Sequence, residues 1–500
     1  MASLLITEAK CEKLKNNIPL FITTVDVQSA FDVVKHIILM DKLLDQNIPP
    51  DLLQLIKGLY TDLESKVKWM GDISDSFNIK QGVRQGGILS THLYKLYVQD
   101  LLEELKNNSI GFQLGNIYIG APTCADDIAL LSSDSSEMQL MLDIIGRYAD
   151  QHQYNIHPTK TKIVQCNTKE KDNSWVLKGK TIEPTDATTH LGLQRTNKRE
   201  NEINIDDRIK LARRTKYSLM SSGLHGTNGV DPITGYNIYK TYILPRLLYG
   251  LEILPLTKGQ IEILEKFHKN TLRHIQSLPQ RTATSAIYLL LGAIPIEGEL
   301  HKRQLSMLYS LLSAKNQTIQ DLVQRQSSIN FDNPKSFFFC VMETLQLYNL
   351  PNIWELQCSL PTKYSWKTLV NLKMSNHWKN ILQIDTIQKT SLKYLAINQI
   401  KNGKPHISYT TLQPTILDVR KGIIKSRMMT RTYTLQADRH KFSRYEIAPT
   451  CQMCNQEPED LTHMLTTCSA LSETRKETFN PIKNLCNKIY WRKEVERDIL

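Results

Sequence analysis

The run Leu20-Phe21-Ile22-Thr23-Thr24-Val25, closed by Asp26, constrains the fold of this chain more than any other feature. It is short, apolar and rich in β-branched residues, so it predicts a buried strand with a carboxylate at its end. A helical pattern follows from Ala30 to Asp45, with apolar residues at Val33, Val34, Ile37, Ile38 and Leu43. Pro49-Pro50 closes it, and Asp51 to Tyr60 predicts a second helix. Residues 66–80 predict a hairpin in which Val67, Trp69, Phe77 and Ile79 flank a turn at Gly71-Asp72. The loop Gln81 to Gly87 leads to a helix over Leu89 to Leu105. A second hairpin over Ile117 to Leu131 carries Asp126-Asp127 at its tip. A helix over Ser136 to Gln151 and a short strand over Lys162 to Gln165 complete the pattern. Strands separated by helices, with a hairpin among them, predict an α+β sheet covered on one face by helices. Beyond residue 205 strand signals fade, and 206–400 reads as mainly helical.

At 500 residues the chain is too long for one core, so several domains are expected. Composition is that of a globular protein, 41% hydrophobic and 22% charged. Lys plus Arg outnumber Asp plus Glu by 62 to 50; the surplus of +12 suits a polyanionic partner such as nucleic acid but does not establish one. No secretory signal and no run of 18 apolar residues is present, so no membrane span is expected. Nine scattered cysteines point to a reducing, intracellular compartment, where clustered Cys means metal more often than disulfide.

If the strand ending at Asp26 neighbours the hairpin bearing Asp126 and Asp127, three carboxylates meet at one rim of the sheet. Clustered carboxylates raise each other's pKa unless a cation is present. Mg²⁺ prefers oxygen ligands and takes only a few from protein, leaving room for water and phosphate. That is the requirement of two-metal nucleotidyl transfer. Taken singly, an Asp-Asp pair is an ordinary solvated turn.

The motifs resemble those of reverse transcriptases from non-LTR (LINE-type) retrotransposons. Asp26-Val27-Gln28-Ser29-Ala30-Phe31-Asp32 is similar to their first palm motif and Gln81-Gly82-Val83-Arg84-Gln85-Gly86-Gly87-Ile88-Leu89-Ser90 to the second. Ala125-Asp126-Asp127 resembles the metal-binding turn, Pro158-Thr159-Lys160-Thr161 the fourth motif, and His190-Leu191-Gly192 the fifth. The resemblance implies a right-hand polymerase palm over 1–195, a helical thumb over 196–275, a helical connector over 276–420, and a basic region with a zinc knuckle over 421–500. It implies that Asp26 and Asp126 ligate two Mg²⁺ ions and that Asp127 assists. Phe31 would lie under the incoming sugar, Gln85 and Gly86 against the template base and nascent pair, Arg84 near phosphate, and Lys160 near the triphosphate as a proton donor. The same resemblance implies an RNA template, a DNA primer or target, dNTPs as substrates, and a nuclear or cytoplasmic location.

Cys124 stands where the family usually has an aromatic. Gly87 and Thr91 stand where Asp and Pro are common, and His157 where Asn is common. Only 25 residues precede Asp26, so the fingers region is expected to be truncated. Arg208, Lys210, Arg213, Arg214 and Lys216 give a basic helical stretch that suits sequence-independent contact with a duplex backbone.

Cys451, Cys454, His463 and Cys468 have the spacing C-x2-C-x8-H-x4-C. Three thiolates and an imidazole complete a tetrahedral Zn²⁺ shell with no open position, so the expected zinc is structural. The cluster resembles the C-terminal knuckle of non-LTR element proteins. Arg427, Arg431, Arg439, Lys441 and Arg444 before it suggest nucleic-acid binding. Two functional classes stand: an RNA-directed DNA polymerase, and a catalytically inactive nucleic-acid-binding remnant of one. No endonuclease motif is visible.

Overall fold

Leu20–Val25 forms the predicted strand, β1, after helix α1 (Ala2–Asn16). The computed structural model describes residues 1–157, 159–168, 174–225, 229–395, 400 and 403–481. Helices α2 (His36–Asp45) and α3 (Pro50–Tyr60) follow. Next come short strands β2 (Glu64–Ser65), β3 (Lys68–Trp69), β4 (Asp72–Ile73) and β5 (Phe77–Asn78), then α4 (Ser90–Asn107). Strands β6 (Gln113–Leu114), β7 (Ile117–Tyr118), β8 (Thr123–Cys124) and β9 (Asp127–Ser132) lead to α5 (Ser135–Gln151) and β10 (Lys162–Cys166). Asp134 caps α5 by accepting from the Glu137 amide at 2.8 Å.

The main sheet has the order β10-β1-β9-β8, all antiparallel. β1 is central, so both of its edges are paired. Its side chains split between two cores. Phe21 and Val25 join Ile128, Leu130 and Ile163 under α2, α4 and α5. Leu20 and Ile22 join Ala129, Leu131 and Val164 under Ile6 and Ala9 of α1 and the segment bearing Phe112, Leu114 and Ile119. Helices therefore cover both faces, not one as expected. The reason is already in β1: an apolar run without alternation must be buried on both sides.

Two further expectations are corrected. The helix expected from Ala30 begins only at His36. Before it the chain turns at Ser29 (φ +51°), and the carbonyls of Phe31 and Val34 accept from the amides of Val83 and Gly82, both at 2.7 Å. Carbonyls committed to a distant loop cannot propagate a helix. The second hairpin is two: β6–β7 turns at Gly115-Asn116, and β8–β9 turns at Ala125-Asp126, with Asp127 already in β9.

Strands β11 (Trp175–Leu177) and β12 (Lys180–Ile182) form a hairpin over α5, and β13 (Ala187–His190) pairs with β14 (Leu193–Thr196). The rest of the described chain is helical: α6 (Glu200–Met220), α7 (Pro232–Ile238), α8 (Leu244–Leu248), α9 (Lys258–Ile275), α10 (Thr284–Leu291), α11 (Ile296–Leu312), α12 (Gln317–Ile329), α13 (Phe337–Leu347), α14 (Ile353–Cys358), α15 (Lys363–Gln388), α16 (Ile407–Thr410), α17 (Ile416–Met429) and α18 (Gln436–Phe442).

Two compact units interleave along the sequence. One comprises Met1–Thr215, Tyr242–Glu265 and Ile296–Met374; the other comprises Lys216–Thr241, Lys266–Pro295 and Ser375–Leu500. In the first, α1 is tied to α12 and α13 by buried Glu8. Its carboxylate accepts from the Phe337 amide (2.9 Å), the Ser336 hydroxyl (3.0 Å) and the side-chain amides of Gln326 (3.1 Å) and Asn330 (3.4 Å). Burial outweighs these donors and pushes Glu8 up to about 7. In the second, Gln276 accepts from Tyr409 (3.1 Å) and donates to the Ile287 carbonyl (3.0 Å). Among the described residues, no helix is long and apolar enough to cross a membrane.

Candidate active site and metal centre

The carboxylate rim is a consequence of strand register. β1 and β9 run antiparallel with Val25 opposite Ile128. Asp26 directly follows Val25 and Asp127 directly precedes Ile128, so the end of this ladder brings the two acidic residues near each other. Asp126 adjoins them in the β8–β9 turn. The first turn residue, Ala125, has φ +57°, a left-handed backbone that costs a residue with a Cβ about 1–2 kcal/mol. Partial burial, then the charges of Asp126 and Asp26, push the Asp127 carboxyl up. This repulsion is what a cation would relieve, and the hard oxygen donors suit Mg²⁺. Lys160 reaches toward Asp26, Nζ to Oδ2 at 3.5 Å, in an ion pair whose members are 63% and 44% exposed. The Asp26 carbonyl accepts from the His157 amide at 2.9 Å. Pro158 of the same motif lies outside the described residues.

The loop of the second motif packs against the first. Beside the two amide bonds to Phe31 and Val34, the Gln85 side-chain amide donates to Asp32 at 3.0 Å, and His36 meets the Gly82 carbonyl at 2.8 Å. Gly82 has φ +93°, and a Cβ there would lie 3.1 Å from the Asp32 carbonyl oxygen, so glycine is needed for both shape and space. Phe31 is half-buried and stacks on Tyr94, with centroids 5.0 Å apart. The Tyr94 hydroxyl is pushed up by burial, then by Tyr154 and Asp126. Arg84, Gln85 and Gly86 are exposed. Tyr94 and Asp32 escaped the sequence reading; Asp32 lies inside the first motif, but only the loop's return reveals its partner.

The basic stretch on α6 divides. Arg208 is buried, donates to the Gly192 carbonyl, and lies 4.9 Å from the centre of the Tyr249 ring. It is therefore structural, contrary to the expectation of duplex contact. Lys210, Arg213 and Arg214 remain exposed. Of the later basic residues, Arg427 donates to the Ser277 carbonyl at 2.9 Å, while Arg431, Arg439, Lys441 and Arg444 are exposed.

A second centre forms from Cys451, Cys454, His463 and Cys468, whose ligand atoms all lie within 4.8 Å of one another. Cys451 and Cys454 flank a turn closed by the Asn455 amide to the Cys451 carbonyl (2.8 Å), and a bridge pairs Thr450 with Pro458. His463 begins a single π turn ending at Thr467, and Cys468 follows it. The sulfurs of Cys451 and Cys468 are 3.9 Å apart; Zn–S bonds of about 2.3 Å in a tetrahedron set roughly 3.8 Å. His463 Nε2 faces Cys454 Sγ at 3.3 Å, and its Nδ1 meets Glu457 Oε2 at 2.9 Å. A carboxylate behind a histidine ligand fixes its tautomer and ring. The Gln456 amide, then that of Glu457, holds the Cys454 thiol down at about 6, which favours the thiolate a metal needs. The donor set and spacing fit Zn²⁺. The three aspartates are less convergent: among the described residues, the Cys/His group is the only one whose ligand atoms close on a common point.

The acidic rim and the loop of the second motif thus lie on a mixed helix-and-sheet unit. Residues 4–194 match the reverse transcriptase (RNA-dependent DNA polymerase) family. The chain is 27% identical over 262 residues to the RNA-directed DNA polymerase from mobile element jockey of Drosophila melanogaster, covering 51% of this chain and 28% of that protein. It is 23% identical over 279 residues to a Pol polyprotein from type-1 retrotransposable element R2 of Popillia japonica, covering 53% and 44%. It is 24% identical over 271 residues to one from type-2 element R2DM of Drosophila melanogaster, covering 52% and 24%. The matched stretch is similar to the reverse transcriptases of these mobile elements. The chain spans less than half the length of these relatives.

Proposed function

We propose that this chain is an RNA-directed DNA polymerase of a non-LTR retrotransposon, adding nucleotides from dNTPs to a DNA 3′-hydroxyl on an RNA template. The observation that carries this reading is the β1–β9 register, which ends at Val25 and Ile128 and so brings the adjoining Asp26 and Asp127 together inside the reverse transcriptase stretch. Residues 1–195 act as palm, 196–275 as thumb, 276–420 as connector, and 421–500 as a basic, zinc-bearing tail. With RNA, DNA and dNTPs as partners, the protein works inside the cell, in nucleus or cytoplasm.

Asp26 and Asp126 hold two Mg²⁺ ions and Asp127 assists. Bound there, the ions supply a more acidic 3′-hydroxyl and charge neutralisation on the triphosphate. Phe31, braced by Tyr94, offers a flat apolar surface under the sugar. The exposed Gln85-Gly86 segment lies against the nascent pair, and Gly86 (φ +80°) lets backbone come close. Arg84 is placed for phosphate. Lys160, on its flexible stem beside Asp26, can leave that ion pair to donate a proton to the departing pyrophosphate. Zn²⁺ at Cys451, Cys454, His463 and Cys468 is structural.

Primer extension on an RNA template tests the reading: the protein should extend a DNA primer with Mg²⁺, and Asp126→Ala should abolish it. Extension that persists in Asp126→Ala refutes the metal assignment. RNA binding without any extension by the unaltered protein identifies a binding remnant instead.

A further inference from the structure

Hydrogen bonds fasten the start of the second-motif loop to the chain just after the first motif. The amides of Gly82 and Val83 donate to the carbonyls of Val34 and Phe31, both at 2.7 Å. The His36 ring meets the Gly82 carbonyl at 2.8 Å, and Lys35 Nζ donates to Gln81 Oε1 at 2.6 Å. Further along, the Arg84 carbonyl accepts from the Ser90 hydroxyl (2.6 Å) and the Gly87 amide (3.1 Å). None of these bonds involves the side chains of Asp32 and Gln85, so the path of the loop is set without them.

Those two side chains form a separate link: Gln85 Nε2 donates to Asp32 Oδ1 at 3.0 Å. Both residues are exposed, so the bond adds little to the stability of the fold. Its effect is on conformation. A free glutamine side chain has much rotamer freedom, which it must lose on meeting a ligand, and fixing it beforehand removes that cost. The bond also chooses between the two ends of the amide. An ionised carboxylate only accepts, so it takes the amide nitrogen and leaves Gln85 Oε1 for another partner. The next residue stands clear of the protein: a Cβ added at Gly86 would meet nothing within 4 Å.

We propose that Asp32 is a positioning residue that holds the Gln85 amide in one orientation, so that Gln85 meets the incoming nucleotide as a hydrogen-bond acceptor through Oε1. The group it recognises is a donor, an N–H of the base or an O–H of the sugar. This rests on the reading of Gln85 as a substrate contact of a polymerase. It divides the first motif between two tasks: Asp26 opens it at the metal site, and Asp32 closes it at the nucleotide contact.

The test uses the full chain with Asp32→Ala, Asp32→Asn, Gln85→Ala and the double variant Asp32→Ala/Gln85→Ala, in single-nucleotide primer extension on an RNA template. Asp32→Ala should raise KM for the incoming dNTP roughly tenfold, the scale of one hydrogen bond, with kcat much less affected. Asp32→Asn keeps an acceptor in the same place and should recover most of the loss. In the Gln85→Ala background, Asp32→Ala should change nothing further, because the two residues act through one bond. Melting temperatures of both Asp32 variants should stay near that of the unaltered protein. Additive losses in the double variant overturn the proposal. Equal losses in Asp32→Ala and Asp32→Asn also overturn it, because they mark a lost charge and not a lost acceptor. If the unaltered protein extends no primer, the polymerase reading fails, and hydrogen exchange then decides the link between the two residues. Asp32→Ala should speed exchange of the amides at 85–87 and leave those of Gly82 and Val83 slow; unchanged exchange at 85–87 overturns the link.

Discussion

Asp26 and Asp127 flank the last pair of the β1–β9 ladder, Asp26 following Val25 and Asp127 preceding Ile128, and their charges interact. Over a hundred positions of chain separate them, yet two central strands fix their approach. Neutralising Asp26 or Asp126 should lower primer extension by roughly 100-fold or more, the scale of losing a main electrostatic contributor. Asp127→Asn should cost less. Because burial and its neighbours disfavour charge on Asp127, that variant should also melt slightly higher in the absence of divalent ions. Activity loss in Asp127→Asn equal to that in Asp126→Asn would sink the division of roles.

The Cys/His centre should hold one zinc ion per chain by elemental analysis. His463→Ala or Cys454→Ser should remove it and loosen the 451–468 segment. Glu457→Gln, which alters only the support behind His463, should weaken zinc affinity roughly tenfold or more. Full zinc retention in His463→Ala against a competing chelator would exclude the histidine as a ligand.

Much of the rim was legible because it is local: an apolar strand ended by Asp, an acidic hairpin turn, and helices of ordinary length between them. β1 also carried the two-sided burial in its lack of alternation, a signal weighed too lightly against the usual one-sided sheet. The fates of Asp32, Gly82 and Arg208 were not legible. Each depends on a contact between segments distant in sequence, and periodicity reports only on neighbours. Arg208 reads as one of five cations on a helix, and only Tyr249 and Gly192 show that it faces inward.

Two glycines of the second motif should respond differently to alanine. Gly82 and Gly86 both have left-handed φ, so each substitution costs about 1–2 kcal/mol in backbone strain. At Gly82 the new Cβ also meets Asp32 backbone at 3.1 and 3.2 Å, whereas at Gly86 nothing lies within 4 Å. Thermal denaturation should therefore show Gly82→Ala as clearly the more destabilised. Equal melting temperatures would contradict the close packing of this loop on the first motif.

Glu8 predicts a pH dependence of stability. Its folded carboxyl, near 7, lies above the ordinary carboxylate value, so between about 4.5 and 7 the folded state binds more protons than the unfolded one. Stability from this group therefore falls as pH rises through that window and is level above it. At 1.36 kcal/mol per tenfold the loss is at most about 3.4 kcal/mol. Glu8→Gln should remove this slope, so the difference in melting temperature between variant and unaltered protein should move in the variant's favour from pH 5 to pH 8. A difference independent of pH would show that Glu8 is not the titrating group.

The split of the basic helix gives the last prediction. Arg208 spends its guanidinium on Gly192 and Tyr249, so Arg208→Ala should lower the melting temperature and disturb the β13–β14 turn. Arg213 and Arg214 are exposed on the same helix, so replacing both with alanine should leave melting unchanged. If they contact phosphate, the double variant should bind a primer–template more weakly, and its affinity should depend less steeply on salt. Each lost phosphate contact lowers the slope of log affinity against log salt by about 0.9 on B-form DNA and somewhat differently on a hybrid. An unchanged salt slope in the double variant would remove these two arginines from the nucleic-acid surface, whatever happens to Arg208→Ala, because the two sites share no partner and their effects should add.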